Sequence, residues 1–216
     1  MNLELYNSPD LPDKVMEALR GELPGIQAHA MMMSYKRRSA SQAMTSQNKP
    51  KLSSVMMLLY RRNDVWHTVF MQRPEYQGVH SGQISFPGGK QEESESLIDT
   101  AIRETEEEIG IQPSQLTVLG SLSEIYIPPS NFVVKPFVAV LENEFVFRPN
   151  PAEVQALLEV PLYEFFREPI LTSSEIYIPH MNASLNAPSF IISQKVLWGA
   201  TAMMVQEFRM LFGFSA

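Results

Sequence analysis

Two apolar runs, residues 52–60 and 65–71, are separated only by Arg61-Arg62-Asn63-Asp64. Runs this close together are the pattern of a β-hairpin with Asn63 and Asp64 at its turn. Residues 116–127 and 132–141 also read as strands, broken by Pro128-Pro129-Ser130-Asn131, and 145–147 as a short further strand. Helical spacing marks residues 11–20, with Asp10 as the expected cap, and residues 95–109, 152–158, 162–166 and 200–211. Residues 39–50 are small and polar and read as a loop. Strands and helices mix without a repeated βα rhythm. That pattern predicts an α/β (α+β) domain with a mixed sheet, not a doubly wound parallel one. Residues 1–48 read as an N-terminal extension with one helix and a polar linker, and residues 49–216 as the main domain.

Composition narrows the chemistry. The chain has no cysteine, which excludes disulfides, thiolate nucleophiles, thiolate zinc sites and iron–sulfur clusters. Acidic residues exceed basic ones by seven (24 against 17), the wrong balance for nonspecific binding to duplex nucleic acid. The longest uninterrupted apolar run, residues 55–60, is far short of the ~20 residues that span a bilayer. Residues 1–10 lack the basic start and apolar stretch of a secretion signal, so the expected location is cytoplasmic.

The segment at 95–109 carries the chemistry. At about 100° per residue, Leu97, Ile98, Ala101, Ile102, Thr105 and Ile109 form one stripe roughly 140° wide. Glu104, Glu107 and Glu108 stack beside that stripe at i, i+3, i+4. Each neighbouring pair of like charges costs ~0.2–0.5 kcal/mol, and the C-terminal end of a helix dipole adds to the penalty. A divalent cation removes the conflict, and protonation of one carboxyl, with a raised pKa, is the other way out.

The register around this helix is specific. Gly89, Glu95, Arg103, Glu104, Glu107, Glu108 and Gly110 stand at fixed intervals, a coincidence expected by chance on the order of one time in a million. In this register the chain resembles the Nudix hydrolases, with Thr105 where that family usually has an aliphatic residue. The resemblance implies an α/β/α sandwich with a mixed β-sheet and a loop-helix-loop catalytic motif. It implies an enzyme that hydrolyses a pyrophosphate bond in a nucleoside diphosphate derivative, with magnesium or manganese (Mg2+ or Mn2+) as cofactor. By the same resemblance Glu104 and Glu108 ligate the metal, with Glu107 and the Gly88 carbonyl contributing. Arg103 and Glu95 hold the carboxylates in place. Glu107, Glu108 or the distant Glu153 would accept the proton of the attacking water. Family members are often dimers, so a homodimer is expected.

The stretch before the helix is similar to the motif of the coenzyme A pyrophosphatase branch. Arg73, Gly82 and Phe86-Pro87-Gly88-Gly89 match it, as do Val160-Pro161-Leu162 and residues 197–202. Met71, Pro74 and Gly78 depart from it, Gly78 standing where an arginine is expected. Arg73, His80 and Gly89 are the expected substrate contacts. Coenzyme A or an acyl derivative is the expected substrate. The alternatives are ADP-ribose or a dinucleoside polyphosphate, or a non-catalytic nucleotide-binding regulatory module. Tyr126 with Pro128-Pro129 is expected beside the pocket, and Trp198, Met56-Met57 and Met203-Met204 in the core.

Overall fold

The two apolar runs pair as antiparallel strands β1 (Lys51–Arg62) and β2 (Val65–Gln72). Asn63 and Asp64 take φ of 50° and 61° at the turn between them. Two successive left-handed residues match the twist of the flanking strands. The computed structural model describes residues 7–34, 38–76, 80–142, 144–167, 170–178 and 182–214.

β1 is the centre of a mixed eight-stranded sheet. It runs parallel to β7 (Phe132–Leu141) from Lys51 beside Phe132 to Leu59 beside Val140. It runs antiparallel to β4 (Gly88–Lys90). β3 (Ile84–Ser85) and β8 (Ala156–Pro161) pair with β2, while β5 (Leu116–Ser121) and β6 (Ile125–Ile127) pair with β7. A second, antiparallel sheet holds β9 (Leu171–Ile178), β10 (Ala183–Ile192) and β11 (Lys195–Trp198).

Alternation along β1 makes two apolar layers, because successive side chains leave opposite faces. Met57 and Leu59 join one core and Met56, Leu58 and Tyr60 the other. The first core is covered by α1 (Leu11–Arg20), through Leu11, Val15 and Leu19, and by α5 (Gly199–Leu211), through Met203, Met204 and Phe208. α2 (Ile26–Met31) packs against α5. The second core is covered by α4 (Leu97–Ile109). This is the α/β/α sandwich with a mixed sheet that the sequence leads one to expect.

Four local expectations are corrected. Asp10 does not cap α1 through its side chain; its carboxylate bonds the Ser8 hydroxyl and lies 3.0 Å from Lys14 Nζ. The polar stretch at 39–50 contains a helix, α3 (Ala40–Met44), opened by a reciprocal Ser39–Gln42 capping box. Its Ala40 and Ala43, three residues apart, bury against Val133. Residues 145–147 form no strand; Phe145 and Phe147 instead set their edges against the Tyr60 ring at 5.0 and 5.4 Å. Residues 152–158 form no helix, because Ala156–Pro161 finds a free edge on β2 and pairs with it from Gln72 to His67. Residues 162–166, by contrast, do make a short helical turn.

Leu11 is 1% exposed within the main core, although it belongs to the first 48 residues. Leu11→Ala should therefore cost about 2–4 kcal/mol of unfolding free energy by urea titration. A cost near zero would show that α1 merely rests on the domain.

Candidate active site

Local chemistry fixes both ends of α4. Ser96 Oγ accepts from the Asp99 N–H at 3.3 Å, and Asp99 Oδ2 accepts from the Ser96 N–H at 3.2 Å. Gly110 ends the helix at φ 75°, and a Cβ there would lie 2.7 Å from that of Arg148. The close approach has a purpose. The Arg148 N–H donates to the Ile109 carbonyl at 2.8 Å, and the Asn150 N–H to the Glu108 carbonyl at 2.9 Å. Two of the helix's unpaired terminal carbonyls are thus satisfied by a loop distant in sequence. The same loop delivers Glu153, whose Oε1 accepts from Asn150 Nδ2 at 3.2 Å.

Glu104, Glu108 and Glu153 each bring a carboxylate oxygen within 4.8 Å of the other two. Glu108 is buried, and its Oε2 accepts from the Gly88 N–H at 2.7 Å. Arg73 Nη2 lies 3.4 Å from Glu108 Oε1 and donates to the Gly88 carbonyl at 2.8 Å. Arg103 grips Glu95 with two bonds, of 3.0 and 2.9 Å, and reaches Glu104 at 3.0 Å and Glu107 at 2.9 Å. Glu107 is more than half exposed and stands outside the three-carboxylate group. Gly89 has no room for a side chain, since a Cβ would collide with the Glu104 carboxylate.

The charges are under strain in opposite senses. Burial pushes Glu108 up to about 8, with Glu104 and Glu153 adding to the shift and Arg73 and the Gly88 amide opposing it. Burial also raises Glu104, against the pull of Arg103. Glu95 is held down at about 2, chiefly by its hydrogen bonds from Arg103. Three hard oxygen donors converging in a partly buried group, only partly compensated by Arg73 and Arg103, fit a divalent cation such as Mg2+ or Mn2+.

A cavity of about 790 Å³ opens beside this group, with Arg73, His80, Gly88 and Gly89 on its near wall. His80 Nδ1 lies 3.1 Å from Gln83 Oε1. Its far walls are mostly apolar and include Met32, Phe132, Ala187 and Met204. Pro128 and Pro129 line it as expected, but Tyr126 does not; its hydroxyl donates to Asn131 Oδ1 at 3.0 Å. Met56, Met57, Met203 and Met204 are core, Met204 also lining the cavity, whereas Trp198 is only half-buried and faces the cavity. Gly78 lies outside the described residues. Sequence reasoning did not find Met32, Ser34, Leu185 or Ala187, which belong to no motif and meet only through the fold.

The NUDIX domain family model matches residues 50–179. The chain belongs to the Nudix hydrolase family. Such enzymes split pyrophosphate bonds in phosphorus-containing substrates and generally need a divalent metal ion, which the acidic group here can hold. The chain is similar to an uncharacterized Nudix hydrolase NudL of Yersinia enterocolitica, 35% identical over 139 residues, covering 63% of this chain and 69% of that protein. It is also similar to Nudix hydrolase 15, mitochondrial, of Arabidopsis thaliana, 37% identical over 131 residues. That match covers 59% of this chain but only 46% of the longer plant protein. Among solved structures, an Ap4A hydrolase binary complex of C. elegans matches with TM-score 0.45 and 20% identity, over 53% of this chain and 82% of that one. No helix among the described residues is long and apolar enough to cross a membrane.

Glu108 makes this Nudix site pH-sensitive in the absence of metal. A carboxyl whose folded pKa is raised stabilises the fold fully below its ordinary 4.5 and loses that contribution as pH rises through about 8. With metal chelated, the Tm of the wild type minus that of Glu108→Gln should fall between about pH 5 and about pH 9. A difference constant over that range would show that Glu108 ionises like a surface glutamate.

Proposed function

We propose that the protein hydrolyses the pyrophosphate of coenzyme A or an acyl-CoA, giving 3′,5′-ADP and (acyl-)4′-phosphopantetheine. The observation that carries this is the convergence of Glu104, Glu108 and Glu153 against Gly88, Gly89 and Arg73, which with His80 line a large, mostly apolar cavity. Arg73, Gly82 and residues 86–89 match the coenzyme A branch motif, and the apolar walls suit a pantetheine arm. ADP-ribose or a dinucleoside polyphosphate is the second reading, favoured by Gly78 in place of the motif's arginine. A regulatory module without turnover is disfavoured by the complete acidic set.

In this reading Glu104 and Glu108 would hold the cation with the Gly88 carbonyl, and Glu107, outside the carboxylate group, would contribute only by leaving Arg103. A bound divalent cation supplies charge neutralisation for the diphosphate oxygens and lowers the pKa of water. Arg103, fixed by Glu95, keeps Glu104 and Glu107 in place. Arg73 and His80 orient the phosphates, and Gly89, which lets Glu104 come close, presents its backbone to them on the cavity wall. Glu153, at the exposed side of the carboxylate group, takes the proton of the attacking water, with Glu107 and Glu108 as the other candidates. Water adds to one phosphorus, the bridging P–O bond breaks, and the other phosphate leaves with the bridging oxygen. Residues 49–216 form the catalytic domain and residues 1–48 an extension, a division supported by the family match beginning at residue 50. A homodimer belongs to the same reading. A cysteine-free chain suits the reducing cytoplasm.

Glu104→Gln and Glu108→Gln should each lower kcat at least ~100-fold with an unchanged circular dichroism spectrum, more than loss of a supporting partner usually costs. Glu153→Gln should lower it ~10²–10⁴-fold if it is the base. Wild-type rates with Mg2+ in the first two variants would refute the metal-site reading. Mass spectrometry after parallel incubation with coenzyme A, ADP-ribose and a dinucleoside polyphosphate decides the substrate. Release of 3′,5′-ADP supports the coenzyme A reading; cleavage of the others alone rejects it.

A further inference from the structure

Glu207 is fully buried on α5, a helix whose neighbouring positions are Met203, Met204, Val205 and Phe208. It takes no part in the chemistry above. Its Oε1 accepts from the Gly25 N–H at 3.2 Å and the Ser123 N–H at 3.1 Å, and its Oε2 from His29 Nε2 at 2.9 Å. His29 is itself only 4% exposed. Gly25, at φ 48°, approaches so closely that a Cβ would stand 3.1 Å from Ser123 Oγ. An ionised group is placed in an apolar interior only at a cost, and its satisfied partners then fix one arrangement of the chain.

Each segment tied to Glu207 continues into the cavity wall. From Gly25 and His29 the chain runs through α2 to Met32 and Ser34. From Ser123 it runs through β6 to Ile127 and Pro128. On α5 itself, Met204 lies one turn before Glu207, on the same face. Of these three segments, residues 25–34 and α5, which carries Glu207, lie outside residues 50–179 that match the family model.

We infer that Glu207, paired with His29, is a positioning residue that sets the shape of the substrate cavity and so controls substrate affinity without touching the reacting atoms. The inference rests on the cavity being the substrate site of the proposed hydrolase. It makes residues 25–34 and the C-terminal helix part of substrate recognition.

Two readouts test it, one independent of any substrate. The chain has no cysteine, so Ser34→Cys with Ser130→Cys gives a unique pair for spin labels on two cavity walls. Adding Glu207→Gln or His29→Ala should broaden the label–label distance distribution at least ~2-fold, because the wall segments lose their common anchor. In unlabelled protein the same substitutions should raise KM at least ~10-fold and leave kcat within ~2-fold, the signature of lost uniform binding. The substrate is whichever of coenzyme A, ADP-ribose or a dinucleoside polyphosphate the wild type cleaves. His29→Gln, which keeps a donor toward Glu207, should restore most of the affinity. Should Glu207→Gln fail to fold, the two His29 variants carry the test. An unchanged distance distribution, or a lowered Tm with KM unchanged, overturns the inference. If none of the three compounds is cleaved, the hydrolase reading fails instead, and the label distances still decide whether Glu207 anchors the walls.

Discussion

The Arg103 guanidinium is the piece on which the site's geometry depends. It donates to three glutamates at once, Glu95, Glu104 and Glu107, and also to the Lys90 carbonyl at 3.2 Å. A planar cation with a fork of fixed donors can hold carboxylates in register in a way that a lysine ammonium cannot. Its two bonds to Glu95 join the loop ahead of α4 to the helix body. That junction places β4 and its two glycines over the acidic face. Glu104 can then approach Gly89 to a distance no other residue would permit.

Glu108 needs a different support, because it points into the protein. Its partners are the Gly88 amide and Arg73, both supplied by the main sheet and the chain leaving it. They do not fully offset its burial, which pushes its pKa up to about 8 when no metal is bound. A buried, undercompensated carboxyl beside an exposed one and a half-buried one is an unfavourable group for stability alone. Such arrangements cluster at functional sites. The stable sandwich beneath it, with apolar layers on both faces of β1, carries that cost.

What could be read from the sequence was what is decided locally. The hairpin was legible because Asn63 and Asp64 tolerate left-handed φ. The helix at 97–109 was legible because its apolar stripe and Gly110 agree, although its Ser96 cap was not read from the sequence. Residues 152–158 were misread as helical; from Ala156 on, a free edge on β2, not local preference, makes the chain a strand. The three-stranded sheet at 171–198 was not anticipated; its strands alternate weakly, with many exposed positions. Of the site, the residues on one helix and one loop were found from their spacing. The far cavity wall was not, since Met32, Leu185 and Met204 come from three distant segments with no shared motif. Glu153 was offered only through the family resemblance, as a base from a distant loop; its place beside Glu108 depends on the loop that reaches the helix end.

That loop has a consequence for how the chain can vary. Arg148 and Asn150 are sewn to the last carbonyls of α4, and Glu153 follows three residues after the second stitch. Glu153 is therefore not carried on an independent lid. To swing it away, the chain must also fray the end of the helix that bears Glu104 and Glu108. Lengthening the connection before Arg148 leaves this coupling untouched, whereas one residue added between 150 and 153 would change the reach of Glu153 while the helix stayed capped. The first interval is tied to the second core through Phe145 and Phe147 against Tyr60; the second sets the reach from the helix end to the carboxylates.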